Sequence, residues 1–206
     1  VNLNLAIFAS GRGSNFQAVL DAIAQGKLNA RIGVLISDRS EAGALHIAQQ
    51  ANIPTEVLAC RDEEKYEQTL RLVLHHREAN FIVLAGYLRK IPASIIRAFR
   101  GRIINIHPAL LPSFGGKGMY GQRVHQAVLD YGCKVSGATV HFVEEEYDTG
   151  APILQRCVPV FDGDSAETLA SRVLEVEHQI LPEALQLFAE ERVKVEGRRV
   201  RIRSHT

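Results

Sequence analysis

Asn105 and His107 lie two residues apart in the run GRIINIHPALLPSF, which puts an amide donor and an imidazole on one side of an extended chain, since side chains two apart on a strand share a face. Ile103, Ile104 and Ile106 make the segment an apolar strand, and Pro108 and Pro112 mark the loop that follows. Open α/β sheets hold their ligands at the carboxyl ends of strands, which is where such a pair would project. A carboxylate able to complete the set lies in HFVEEEYDTGAPI, where Asp148 precedes Thr149-Gly150 between two strand-like runs. An amide, an imidazole and a carboxylate suit a reaction that develops an oxyanion and moves a proton. Taken alone, His107 could be a hydrogen-bonded strand-end histidine; its company argues for catalysis. His141, inside the strand VHF, reads as structural.

A second feature is the turn ASGRGSNF, which follows the first strand and opens the first helix. Backbone N–H groups of Gly11, Arg12, Gly13, Ser14 and Asn15 would face whatever binds there. Helix N-termini favour anions, and glycines allow close approach of the backbone, so the phosphate of a ribonucleotide fits. The alternative is a tight βα turn capped by Ser14. A dinucleotide site is disfavoured, because Phe16 stands where the third glycine of G-x-G-x-x-G belongs. Asp38, ending the second strand, suits a capping or turn role.

The elements that must position these residues alternate between β-rich runs and helical patterns, the mark of a mainly parallel twisted sheet with helices on both faces. Strands are predicted at 3–9, 30–37, 55–58, 81–87 and 103–107, and helices at 16–25, 43–51, 63–78, 91–99 and 122–131. Beyond that the pattern changes. Residues 135–143 and 153–160 read as strands joined only by the acidic loop, hence an antiparallel addition to the sheet. Ser165 caps a helical run to residue 190 that Pro182 could bend, and VKVEGRRVRI reads as a terminal hairpin. Glu177 follows Val173 by four residues and precedes Ile180 by three, so it borders or joins the apolar face of that helix. With no Ser/Gly-rich linker and no internal repeat, residues 1–206 read as a single domain.

Composition narrows the function classes. A chain of 206 residues, 46% hydrophobic, can bury one sizeable core. A formal charge of +1 argues against a polyelectrolyte partner, although the tail GRRVRIRSHT is locally basic. The expected partners are therefore small molecules, with neither nucleic acid nor membrane; a homodimer stays compatible with the sequence. Cys60, Cys133 and Cys157 are odd in number and far apart, without metal spacing, which suits a reducing compartment and predicts no metal. The opening VNLNLAIFAS enters a strand without signal-peptide character, so a cytoplasmic location is expected, compatible with a removed transit peptide.

INIHPALLPSF followed by SGATVHFVEEEYDTGAPILQ resembles the phosphoribosylglycinamide (GAR) formyltransferase family, the folate-dependent enzymes of purine synthesis, over nearly the whole chain from ASGRGSNFQA to EVEHQILP. The resemblance implies a Rossmann-like formyltransferase fold and transfer of a formyl group from 10-formyltetrahydrofolate to the amine of GAR. It implies Asn105, His107 and Asp148 as the catalytic set. GAR would be held by Gly11, Arg12, Gly13, Ser14 and Asn15, with Glu177 receiving its amine. The folate would lie against Leu88, Arg89, Lys90 and Ile91, Asn105, and the loop of Glu144, Glu145, Glu146, Tyr147 and Asp148. Two departures stand out. Glu63 or a neighbour occupies the place of the family's usual arginine before the third helix, leaving Arg61 or Lys65 to make its contacts, and FGGKGMYG is longer and more glycine-rich than in many members. The alternatives are a 10-formyltetrahydrofolate hydrolase (deformylase) and a nucleotide-binding module without catalysis. The deformylase family usually carries an N-terminal regulatory domain, whereas this sequence opens on its first strand. A tRNA formyltransferase would need a second domain and a basic surface. In the chemistry expected, protonated His107 and Asn105 stabilise the oxyanion, and Asp148 raises the imidazole pKa.

Overall fold

The computed structural model describes residues 2–204. The chain forms two compact units, one ending at Ile104 and one beginning at Asn105. In the first, β1 (Leu3–Phe8), β2 (Ala30–Ser37), β3 (Thr55–Val57) and β4 (Phe81–Leu84) alternate with α1 (Ser14–Ala24), α2 (Gly43–Gln50), α3 (Glu63–His76) and α4 (Ala93–Ala98). β1 pairs in parallel with both β2 and β4, and β2 in parallel with β3. Every residue of β1 and β4 is buried, so both faces of this part of the sheet are covered, as their mainly apolar runs require, with Asn4 the one polar residue among them. The helices bury one stripe each: Phe16, Val19 and Ala22 in α1, and Tyr66, Leu70 and Leu74 in α3. Asp62 caps α3 by accepting from the Lys65 N–H at 3.0 Å.

β5 (Ile103–His107) spans the change of unit and is followed by α5 (Gln122–Asp130), β6 (Val135–Phe142), β7 (Pro152–Pro159) and α6 (Ala166–Ala189). The seven strands run in the order β3-β2-β1-β4-β5-β6-β7, and β6 pairs antiparallel with β7. β6 is buried from Ser136 to Phe142, whereas β7, at the sheet's edge, is only partly covered. Ser165 opens α6 with a capping box closed by Thr168, and Pro182 lies inside the helix without ending it. The terminal hairpin, β8 (Val193–Glu196) and β9 (Arg199–Ile202), forms a two-stranded sheet of its own.

Three local readings change. The strand read at 81–87 stops at Leu84, because Gly86 turns the chain at a φ of 77°. The helix read at 91–99 begins only at Ala93, with Pro92 as its cap. At α1 the N-cap is Gly13, not Ser14, and it makes no side-chain capping bond. Gly13 has a φ of +84°, and an added Cβ would lie 2.7 Å from the Ala44 backbone, so conformation and packing both demand glycine there.

Candidate active site

β5 delivers Asn105, half-buried, and His107, buried, at its carboxyl end. The chain after them is tied down by a buried hydroxyl. Thr139 Oγ1 on β6 donates to the Ala109 carbonyl at 2.7 Å and accepts from the Leu111 N–H at 3.1 Å. Gln155, its cross-strand neighbour on β7, donates from Nε2 to Leu111 O at 2.9 Å and to Thr139 Oγ1 at 3.0 Å. Thr139 is fully buried, so its hydroxyl must find protein partners, and these bonds fix the loop in shape. The antiparallel addition to the sheet thus serves as the anchor of the loop behind His107.

The downstream carboxylate arrives by a forced backbone path. Asp148 adopts a left-handed φ of 56°, and two residues on, a Cβ at Gly150 would meet the Phe142 carbonyl oxygen at 1.8 Å. Only glycine lets the loop pass that close to the end of β6, which accounts for the Asp-x-Gly spacing. Asp148 Oδ2 accepts from the Gly116 N–H at 2.8 Å, and a Cβ at Gly115 would lie 3.1 Å from the Asp148 Cβ. The glycine-rich segment therefore packs on the carboxylate and donates to it.

Around this carboxylate the candidate groups converge. Asp148 Oδ2 lies 3.6 Å from His107 Nδ1, and Oδ1 lies 3.5 Å from His141 Nε2. His107 Nε2 donates to the Phe114 carbonyl at 2.8 Å, so in the neutral ring the lone pair is on Nδ1, facing Asp148. Phe114, like Asp148, is in the left-handed region, at a φ of 53°, a conformation costly for a bulky side chain. Both flanks of the imidazole are thus held by strained backbone, a feature that concentrates at functional sites. His141 Nδ1 donates to the Phe142 carbonyl at 2.8 Å, leaving Nε2 to accept from Asn105 Nδ2 at 3.0 Å. His141, which reads as structural in the sequence, lies between Asn105 and the carboxylate. On β6 it shares a face with buried Thr139, two residues earlier, and the pairing of β6 beside β5 brings it to Asn105.

The electrostatics correct the expected protonation. Burial lowers the His107 pKa below its ordinary value; Asp148 and the Phe114 carbonyl pull it up and His141 pushes it down, but burial wins. For Asp148 burial opposes ionisation, yet His141, His107 and the Gly116 N–H outweigh it and hold the carboxyl below its usual range. The two shifts are not reciprocal, because the Gly116 N–H supports the carboxylate whatever the charge on His107. The resting pair at neutral pH is ionised Asp148 beside neutral His107. Asp148 does pull the imidazole upward, as expected, but not far enough to make it a cation.

His125 on α5 is 4% exposed, and its Nδ1 has no hydrogen-bond partner. Burial, with a smaller push from His107, lowers its pKa to about 4. A histidine whose folded pKa is depressed leaves the unfolded chain binding more protons, so stability is complete above the unfolded value and is lost as pH falls toward the folded one. Wild-type stability is therefore expected to decline between about pH 6.5 and pH 4, by on the order of 2 kcal/mol from this residue. His125→Leu should flatten that slope in urea unfolding measured across the same window; an unchanged slope would contradict the assignment.

The other candidates are placed as follows. Gly11, Arg12 and Gly13 form the turn before α1, and Gly11 O accepts from the Ala44 N–H at 3.1 Å. Ser14 and Asn15 are the first residues of α1, Asn15 being buried. Asp38 takes a turn role: its Oδ1 accepts from the Ser10 hydroxyl at 2.5 Å, and Ser10 Oγ accepts from the Leu88 N–H at 2.9 Å. Leu88, Arg89, Lys90 and Ile91 make the loop between β4 and α4. The Arg89 guanidinium is committed to shaping it, donating to Cys60 O at 2.6 Å and Glu63 Oε1 at 2.7 Å while lying 3.6 Å above the Tyr66 ring. Glu63, where a basic residue was expected, is thus the ion-pair partner of Arg89. Glu144, Glu145 and Glu146 are exposed in the loop between β6 and β7 with Tyr147. Glu177 is buried on α6, at 7% exposure, so it joins the apolar face rather than solvent. Among the described residues, no group of His, Cys, Asp and Glu is placed to hold a metal ion.

The formyl transferase family pattern matches residues 3–185. The chain belongs to that family, in its phosphoribosylglycinamide formyltransferase branch. It is similar to the phosphoribosylglycinamide formyltransferase of Escherichia coli, 36% identical over 94% of this chain and 90% of that one. The chloroplastic phosphoribosylglycinamide formyltransferase of Vigna unguiculata is 47% identical over 92% of this chain, which spans 62% of the relative's length. Among solved structures, glycinamide ribonucleotide transformylase 1 from Symbiobacterium toebii superposes with a TM-score of 0.91 at 40% identity, covering 98% of this chain and 94% of that one.

Proposed function

We propose that this formyl transferase moves a formyl group from 10-formyltetrahydrofolate to the primary amine of GAR, giving formyl-GAR and tetrahydrofolate in purine biosynthesis, with residues 1–206 acting as one formyltransferase domain. The convergence of Asn105, His107 and His141 on Asp148 carries the proposal. The amine attacks the formyl carbon and forms a C–N bond, leaving an oxyanion on a tetrahedral carbon. An Asn105 amide hydrogen stabilises that oxygen. Neutral His107 takes the surplus proton of the attacking nitrogen at Nδ1 and becomes a cation beside ionised Asp148. It then returns the proton to the folate nitrogen as the C–N bond to the carrier breaks. The cation is thus made when it is needed, which is the economical use of a pKa held low at rest.

We assign the GAR phosphate to the N–H groups of Gly13, Ser14 and Asn15, where α1 starts without a capping side chain. Glu177 orients the amine. Folate contacts are assigned to Leu88, Arg89, Lys90 and Ile91 in the first unit and, separately, to the backbone from Glu144 through Glu145, Glu146, Tyr147 to Asp148 in the second, with Arg12 and Gly11 shaping the phosphate turn. The partners are then two small molecules. The free thiols of Cys60, Cys133 and Cys157 favour a reducing compartment, and no helix of the described residues is long and apolar enough to cross a membrane.

Single-turnover assays with and without GAR are the direct test. Formyl transfer should require GAR; release of formate at the same rate without it would identify a deformylase instead. In calorimetry, dephosphorylated GAR should bind at least about a hundredfold more weakly, the loss of several charge-assisted hydrogen bonds. Glu177→Gln should weaken GAR and spare the folate. Equal affinity for the two GAR forms would remove the phosphate from the turn, and wild-type kinetics in Glu177→Gln would remove that residue's role.

A further inference from the structure

The terminal hairpin lies beyond the stretch matched by the family pattern, yet it touches the loop that carries Asp148. Arg198, at its tip, donates from Nη2 to the Thr149 carbonyl at 3.1 Å. That carbonyl belongs to the residue directly after Asp148. The loop needs outside support: Asp148 is left-handed, and Gly150 passes against the Phe142 carbonyl. Its other ties include the Gly116 N–H on Asp148 and the Thr149 hydroxyl, which donates to Glu146 O at 3.1 Å.

The hairpin is built to hold its tip still. Lys194 pairs with Glu196 along β8 at 2.9 Å and Arg201 pairs with it across the strands at 2.7 Å, but both pairs are exposed and add little, so the rigidity comes from the base. At its base the Arg203 N–H donates to Arg192 O at 2.9 Å, and Arg192 Nε donates to Arg203 O at 2.7 Å. Arg192 also pairs with Glu190 at the end of α6, so the base is fixed to the helix. Gly197, at a φ of +62°, makes the turn that brings Arg198 round.

We propose that Arg198 is a positioning residue: through the Thr149 carbonyl, the hairpin acts as a strut that holds Asp148 against His107 and keeps the loop in shape for the folate. This rests on the reading of Asp148 and His107 as catalytic. A hydrogen bond from a charged donor is worth about a fivefold to tenfold change in an equilibrium. Arg198→Ala should therefore reduce kcat/KM for 10-formyltetrahydrofolate by about fivefold to tenfold while leaving the affinity for GAR unchanged. Arg198→Lys should recover a large part of the loss. Arg201→Ala alters the same hairpin without touching the loop, and should stay within about twofold of wild type.

A second readout separates positioning from general loosening. The Asp148 carboxylate pulls the His107 pKa upward. If Arg198→Ala lets it drift, the His107 ring followed by NMR should titrate at lower pH, with no such change in Arg201→Ala. Wild-type kinetics and an unmoved titration in Arg198→Ala would overturn the strut, as would equal losses in both variants. If His107→Ala and Asp148→Asn themselves left formyl transfer intact, the reading of the site would fail, whatever Arg198 does.

Discussion

Replacing His107 by Ala is expected to lower kcat for formyl transfer by about a hundredfold to a thousandfold, the scale set by removal of a group that acts on charge in the transition state. The binding of GAR should change little. His107 is buried and donates to the Phe114 carbonyl. The proton it accepts at Nδ1 exists on the substrate nitrogen only after attack, so the interaction is made on the way to the transition state. Asn105→Ala should act in the same sense, because its amide hydrogen meets an oxygen that becomes an anion only then. Steady-state kinetics with calorimetry on each variant gives the answer. A variant that lost GAR affinity at near-normal kcat would show that its side chain binds substrate instead of serving the chemistry.

Gly150→Ala is the second large effect. An alanine Cβ would sit 1.8 Å from the Phe142 carbonyl oxygen and 2.6 Å from its carbon, both of them backbone atoms. No side-chain rotation relieves that, so the loop itself must move. Overpacking of this kind costs about 1 to 3 kcal/mol or more, and a shift of roughly 1 Å in a catalytic group can cost about a hundredfold in rate. The expected result is a fall in both Tm and kcat, with kcat falling the further because the displaced segment carries Asp148. If the variant kept wild-type kcat, the close passage of this loop would have no bearing on catalysis.

What the sequence made legible follows local rules. The face-sharing of Asn105 and His107, the helical stripes and the Ser165 cap depend on spacing and nearest neighbours, which periodicity captures. The bounds of β2 and β5 were read to the residue. What stayed hidden depends on distant contacts. His141 joins the cluster only because β6 lies beside β5, which no local pattern reveals. Ser14 read as a cap, but the requirement at α1 was for a residue that tolerates contact with Ala44 and a left-handed φ. The charge state of His107 was misjudged for a related reason: the partner was visible in the sequence, while the burial that outweighs it was not.

Gln155 stands exposed on the outermost strand of the sheet, and one amide nitrogen there reaches the Leu111 carbonyl and the Thr139 hydroxyl. The periphery of the molecule therefore has a mechanical line to its chemistry. Substitutions on β7 that tilt this one amide would retune turnover without altering a single substrate contact. For anyone seeking to adjust the enzyme's rate, the rim of the sheet is a tuning peg, reachable from outside while the catalytic cluster is left as it is.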